Sequence, residues 1–148
     1  MDRIPEVEAA KALMNEAVSW SVMKWLREKK RVRKTADQAN AALDQLNQAV
    51  KDHWPDEIRA AYEGLVAQRL NKTPPSPANE PQTRLNARKV KEADDAAYRA
   101  RMDAEDTFDE AERQLSTSLA REGCRKAIQS WELHEKAIRK AEALVSSQ

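Results

Sequence analysis

The chain has 148 residues, a length that predicts one domain. Its 26 basic and 25 acidic residues nearly cancel, and this balance argues against a disordered chain. Alanine supplies 25 of the 60 apolar residues, whereas Leu, Ile, Val and Phe together supply only 24, too few to fill a large single core. Two glycines in a composition rich in Ala, Glu, Lys, Arg and Leu predict long helices and argue against a sheet protein.

The N-terminal segment and the cysteine content predict a cytoplasmic protein. The first residues lack the basic, apolar and small-residue regions of a secretory signal. Cys124 is the only cysteine, so no internal disulfide indicates an oxidising compartment. The longest apolar stretch without a charge, Ala17 to Met23, is far shorter than the roughly 20 residues that cross a bilayer.

Two prolines mark the starts of the first two predicted helices. Pro5 and Pro55 are each followed by acidic residues. Proline suits the first position of a helix, and acidic side chains there complement the positive end of the helix dipole. Helix A is therefore predicted over about 5–52 and helix B over about 55–72.

A proline-rich segment separates helix B from the last predicted helix. Residues 73–81 contain four of the six prolines and are predicted to form a stiff, extended loop. Helix C follows over about 82–146, and all three helices form one domain, 1–148. A weaker break is predicted at Thr35, which has the spacing of a capping box, and Gly123 is expected either to break helix C or only to weaken it.

Apolar residues in helices A and C alternate spacings of three and four, the pattern of a narrow coiled-coil-like seam. The seam of helix A comprises Val18, Val22, Trp25, Lys29, Val32, Ala36, Ala39, Leu43, Leu46 and Val50. The seam of helix C comprises Cys124, Ala127, Trp131, His134, Ile138, Ala141 and Val145. An upstream set of alanines has a shifted phase, which we interpret as a stutter near 115–120 within one continuous helix.

The helix lengths predict how the chain folds. At about 1.5 Å per residue, helices A and B together match helix C in length. The predicted fold is all-α, a long antiparallel helical hairpin of coiled-coil type folded about the proline-rich loop. In that register Trp25 would meet Trp131, and Leu46 would meet Phe108. The alternative is a compact bundle of three to five helices.

Charge is separated along the chain although its total is only +1. Residues 24–34 hold seven basic residues against Glu28, a net charge of +6, and residues 92–112 hold nine acidic residues against two arginines, a net charge of −7. The hairpin register keeps these blocks apart and places residues 120–130 beside the basic block. Two copies could pair antiparallel, acid to base, although solvated helix faces would produce the same pattern.

Ten basic residues form the predicted surface for an anion or a partner. Aromatic and aliphatic residues precede the basic run, a combination found in membrane-surface helices, helical protein targets and nucleic-acid-binding segments. Trp25 and Val32 belong to the seam, which favours a core role for these two. The candidate residues are Lys24, Arg27, Lys29, Lys30, Arg31, Arg33, Lys34, Arg121, Arg125 and Lys126.

The sequence predicts neither an enzyme nor a cofactor or metal site. Cys124 and His134 lie about 15 Å apart along one helix, too far for a hydrogen bond. No glutamate stands three residues before His53 or His134, as a di-metal carboxylate site requires. Two glycines could hardly build a phosphate-binding loop. We expect Cys124 to be a small buried seam residue.

These observations favour a non-enzymatic helical interaction or scaffold protein that self-associates or binds a partner through its coiled-coil-like seams. A homo-oligomer or a helical protein partner is expected. The alternative is an anion-binding module that uses residues 24–34 to bind nucleic acid or an anionic membrane surface. The sequence leaves the identity of the partner and the oligomeric state open.

Overall fold

The computed structural model describes residues 3–71 and 81–146, and within these residues the chain forms five α-helices and no strand. The all-α class is therefore confirmed. The helices are α1 (Pro5–Ala17), α2 (Val22–Asp52), α3 (Asp56–Asn71), α4 (Gln82–Gln114) and α5 (Thr117–Ser146). The predicted loop over 73–81 lies outside the described residues, apart from Pro81.

Both prolines predicted at helix starts lie there, Pro5 as the first residue of α1 and Pro55 immediately before α3. α1 begins at Pro5 after Ile4 in an extended conformation, and α3 begins at Asp56, directly after Pro55. The weaker signals break no helix: α2 continues through Thr35, and α5 continues through Gly123.

The predicted helix A is two helices, because the chain turns at residues 18–21. Ser21 is extended, and its hydroxyl accepts a hydrogen bond from the backbone N–H of Lys24 at 3.2 Å, which caps α2. The turn buries Trp20 beside Trp25, with 6.0 Å between the ring centroids. The prediction of one continuous helix over 5–52 was wrong. The apolar spacing continues across the N-cap at Ser21, so it gives no sign of the turn.

The predicted helix C also divides, at Leu115 and Ser116. Leu115 ends α4 in the left-handed conformation, with φ 51° and ψ 42°. The Ser116 hydroxyl then accepts a hydrogen bond from the backbone N–H of Leu119 at 3.2 Å. The phase shift interpreted as a stutter is therefore a chain reversal, which folds α5 back along α4.

The five helices pack as a bundle, as the alternative prediction allowed. The antiparallel hairpin of α4 and α5 makes the most extensive contact, and α1 and α2 form a second hairpin. Ion pairs join Arg33 to Asp109 and Asp44 to Arg101, so α2 and α4 run antiparallel. α3 packs on α4.

The direction of α5 overturns the side-chain pairs that the hairpin register predicted. α5 runs parallel to α2, as two hydrogen bonds show: Trp131 Nε1 donates to Asn40 Oδ1 at 2.9 Å, and Trp54 Nε1 donates to the Ala141 carbonyl at 2.8 Å. Trp25 stacks on Phe108 instead of meeting Trp131, with 6.3 Å between the ring centroids. Phe108 consequently lies far from the level of Leu46.

Most residues of both predicted seams lie in the core, which α1 and α4 complete. The first seam buries Trp25, Val32, Ala36, Ala39, Leu43 and Val50. The second buries Cys124, Ala127, Trp131, His134, Ile138 and Ala141. Small residues let the helices approach closely. At Gly123 the approach is close, since a Cβ there would lie 2.8 Å from the Phe108 ring.

Candidate partner-binding surface

Half of the predicted basic residues have partners within the bundle. Arg33, Arg121 and Lys126 reach another part of the bundle, whereas Lys24 and Arg31 have partners close by in the sequence; all five charges are less available to a ligand. Arg33 bonds Asp109 at 3.0 Å and Glu112 at 3.2 Å across to α4. The prediction that the basic and acidic blocks stay apart was therefore wrong, because Arg33 of the basic block reaches two acidic side chains of the acidic block on α4. The remaining contacts are Lys24 Nζ 5.3 Å above the Trp20 ring, Arg31 with Glu28, Arg121 with the Trp20 carbonyl, and Lys126 with Asp103.

The other half, Arg27, Lys29, Lys30, Lys34 and Arg125, form no ion pair with any described residue. Arg27, Lys30 and Lys34 are exposed, and their spacings of three and four place them on one face of α2. This face, the basic stripe, points away from the buried Trp25 and Val32.

An apolar groove lies beside the basic stripe, between the start of α2 and the junction of α4 with α5. Its cavity volume is about 130 Å³. The groove is lined by Val22, Trp25, Leu26, Lys29, Ala111, Glu112, Leu115 and Thr117. Its walls are unusually exposed for aliphatic side chains: Leu115 is 74% exposed, Val22 53% and Leu26 44%, and neighbouring Met23 is 68% exposed.

Leu115 combines two unfavourable features at the rim of this groove. A left-handed backbone costs a residue with a Cβ about 1–2 kcal/mol, which is why glycine is preferred at such helix ends. Its exposed side chain recovers little of that cost by burial within the chain. Burial therefore does not account for a leucine at this position.

The helix register also creates a polar cleft that the sequence analysis missed. Residues of α2, α3, α4 and α5 line it, and its volume is about 460 Å³. Asp94 stands at its centre and accepts hydrogen bonds from Asn47 (3.1 Å), Lys51 (2.5 Å) and Tyr62 (2.7 Å). One further pair, Arg101 with Asp44, uses two parallel hydrogen bonds of 3.0 and 2.8 Å.

Burial in the polar cleft shifts the pKa values of two of its ionisable groups, Tyr62 and His134. Burial is the main cause that raises the pKa of the Tyr62 hydroxyl, and the negative charge of nearby Asp94 is the second. Burial is the main cause that lowers the pKa of His134 to about 4, and the positive charge of Arg101 is the second. The imidazole is therefore neutral at physiological pH. Three buried atoms, Asn47 Oδ1, Arg101 Nε and His134 Nε2, have no hydrogen-bond partner among the described residues. The cleft therefore stabilises the bundle by less than its bonds alone would suggest.

A sequence signal for this cleft exists but depends on the register. Asp44, Asn47 and Lys51 share one face of α2, and Asp94 and Arg101 share one face of α4. The hairpin register placed these two faces at different levels, so their complementarity was hidden.

Cys124 is fully buried in the core, and burial raises the pKa of its thiol to about 12. The thiolate form that nucleophilic chemistry needs is therefore scarce. Within residues 3–71 and 81–146, no group of three His, Cys, Asp or Glu side chains could hold a metal ion. None of the described helices has an apolar stretch long enough to cross a bilayer.

Compared with protein-family models, curated proteins and solved structures, the chain shows no match. The features of this chain that bear on function are therefore the apolar groove and the basic stripe beside it.

Proposed function

We propose that this protein is a non-enzymatic helical interaction protein, and that it binds a helix through the apolar groove and the basic stripe. The observation that carries the proposal is the clustering of exposed apolar side chains. Of the six large apolar side chains exposed in the described part of the chain, four lie at this one end: Val22, Met23, Leu26 and Leu115. Contiguous apolar patches of this kind mark interaction sites.

The dimensions of the groove support a protein side chain as the anchor. An apolar cavity of about 150 Å³ holds a benzene-sized group, so the groove, at about 130 Å³, matches one large side chain. Helices that bind in grooves insert such anchors at spacings of three and four residues. The unpaired cations of the basic stripe would then select the charge of the partner and speed its association.

Several observations support a protein without a reaction of its own. The Cys124 thiol is buried with a raised pKa, and the ionised side chains of the polar cleft are paired with each other or with Lys91. A cytoplasmic location is part of the proposal, since it suits a chain with a single reduced cysteine.

Site-specific photocrosslinking tests this function without assuming which partner binds. A benzophenone amino acid at position 115 should form a discrete protein adduct in cells, and Leu26→Glu in the same chain should abolish it. The matched control is the same photoreactive residue at Glu8, an exposed position on α1. Equal adduct yields at 115 and 8, or an adduct that persists with Leu26→Glu, would contradict the proposal.

A second candidate function is suggested by the unpaired cations alone. Arg27, Lys30 and Lys34 could bind the phosphates of nucleic acid or an anionic membrane surface. Fluorescence titration with duplex DNA and with phosphatidylserine vesicles at low salt tests this function. Binding that weakens steeply with salt and disappears when the three residues become Gln supports it, whereas no binding at low salt refutes it.

A further inference from the structure

We infer that the helix bound in the groove is an acidic amphipathic helix of another protein. It inserts one large apolar side chain into the apolar groove and places acidic side chains, about four and eight residues from that anchor, against Lys30 and Lys34. This inference rests on the proposed function and names the chemistry of its partner. It is carried by the charge and the spacing of one row of side chains on α2.

The first step is that the apolar groove leads directly into the basic stripe. Leu26 belongs to the groove lining, and Lys30 and Lys34 follow it at spacings of four, so the three side chains form one row along α2. All three are exposed, and so are Met23 and Arg27, which lie beside this row. A helix seated over Leu26 therefore meets a cation one turn and two turns further along α2.

The second step is that the chain itself supplies no counter-charge to this row. Arg33, on the neighbouring face of α2, reaches Asp109 and Glu112 at 3.0 and 3.2 Å. Lys30 and Lys34, by contrast, form no ion pair with any described residue. Like charges four residues apart on a helix repel each other. An acidic partner replaces this repulsion with attraction, whereas a basic partner increases it.

The third step is the spacing that the partner needs. A helix lying along α2 has the same rise of about 1.5 Å per residue, so positions about four and eight residues from its anchor reach the levels of Lys30 and Lys34. The acids follow the anchor if the partner runs parallel to α2 and precede it if the partner runs antiparallel. Asp37 is exposed one turn beyond Lys34, so the acidic stretch of the partner is favoured only over these two turns.

A symmetric pair of copies does not provide such a partner. A two-fold axis centred on this surface pairs the surface with itself, so the groove of one copy faces either the groove or the basic stripe of the other. Glu112 is the acid of the groove lining, and Arg33 already holds it at 3.2 Å. The symmetric arrangement therefore gives Lys30 and Lys34 no free acid, which favours a different protein as the partner.

Fluorescence anisotropy with designed peptides tests the inference on the whole chain. Each labelled peptide is an alanine-rich helix of about 20 residues with one leucine anchor. One version carries glutamates about four and eight residues after the anchor, a second carries them before it, and a third has glutamine in their place. At low salt, one of the two acidic versions should bind roughly five- to tenfold more tightly than the glutamine version, because two exposed ion pairs form. This advantage should shrink at high salt.

Variants of the chain assign the effect to the row on α2. Lys30→Gln combined with Lys34→Gln should remove the advantage of the acidic peptide, and Leu26→Glu should abolish its binding. The matched control combines Lys136→Gln with Lys140→Gln, which neutralises two exposed lysines four residues apart on α5 and should preserve the advantage.

Acidic peptides that bind no more tightly than the glutamine version overturn the inference, as does an equal loss in the control. Acidic-peptide binding that persists with Leu26→Glu also overturns it, because the basic stripe would then act without the groove. Photocrosslinking from position 115 separates the two proposals. An adduct with a second copy, or an adduct whose yield is unchanged when both lysines become glutamine, refutes only the acidic partner. If position 115 forms no adduct, the proposed function falls with the inference.

Discussion

The apolar groove and the polar cleft lie along the same pair of helices, yet they treat their side chains in opposite ways. In the cleft, Lys51 and Asp94 are each only 13% exposed and bond each other at 2.5 Å. At the groove, Leu26 and Leu115 are exposed, and the cations of the neighbouring basic stripe have no acidic partner among the described residues. The comparison teaches that polar side chains between α2 and α4 find partners within the chain, whereas apolar side chains at the start of α2 and the end of α4 stay exposed.

The largest expected effect lies in the polar cleft. Asp94→Ala should lower the free energy of unfolding by about 3–5 kcal/mol, because it leaves Lys51 as a buried charge without its partner. Urea unfolding followed by circular dichroism measures this change. Asp106→Ala, on the outer face of the same helix, is the matched control and should change stability by less than about 0.5 kcal/mol. Equal losses in the two variants would mean that the cleft does not stabilise the bundle.

Acid should weaken the cleft through His134. The unfolded chain binds a proton at this imidazole near pH 6.5, whereas the folded chain binds it only near pH 4. The unfolded state therefore binds more protons in this window, and the contribution of His134 to stability, complete above pH 6.5, declines as the pH falls to about 4. The loss is about 3 kcal/mol. Thermal unfolding at pH 7 and pH 4.5 should show a smaller acid-induced drop for His134→Gln than for the wild type; an identical drop would assign it to other groups.

The close contact behind the groove should give a smaller effect. Gly123→Ala adds a methyl group 2.8 Å from the Phe108 ring, and such overpacking costs about 1–3 kcal/mol. Better helix propensity returns about 1 kcal/mol, so we expect a net loss of about 1 kcal/mol. Gly64→Ala is the control, since a Cβ there meets nothing within 4 Å and should be stabilising. Urea unfolding of both variants measures the contrast, and a stabilised Gly123→Ala variant would contradict it.

The smallest expected change in stability is at Leu115, and its sign is opposite. Leu115→Gly should raise the free energy of unfolding by about 0.5–1 kcal/mol, because glycine adopts the left-handed conformation freely. The same variant should weaken binding at the groove, which a lower yield of photocrosslinked adduct from a benzophenone amino acid at Val22 detects. A variant that is more stable and binds equally well would show that the leucine serves no contact outside the chain.

Much of the core was predictable because helical periodicity acts locally. Trp131 and Ile138 are buried as their seam predicts, and Pro5 and Pro55 mark helix starts. Val22 shows the limit of this reasoning: it occupies a seam position and is nonetheless 53% exposed, because α2 begins there and no neighbouring helix covers it. The candidate surface was predictable in part, since residues 24–34 were identified by charge, whereas the groove beside them was not.

By itself, the sequence determined the helical class, the two seams, the helix starts at proline and the separation of charge into two blocks. Only the tertiary structure decided where the chain reverses and which basic residues remain unpaired. The physical reason is that a repeat of three and four residues fits parallel and antiparallel neighbours equally well. A reversal, by contrast, depends on the backbone conformation of a single residue such as Leu115. That turn sets the direction of α5, and the resulting packing leaves the groove open.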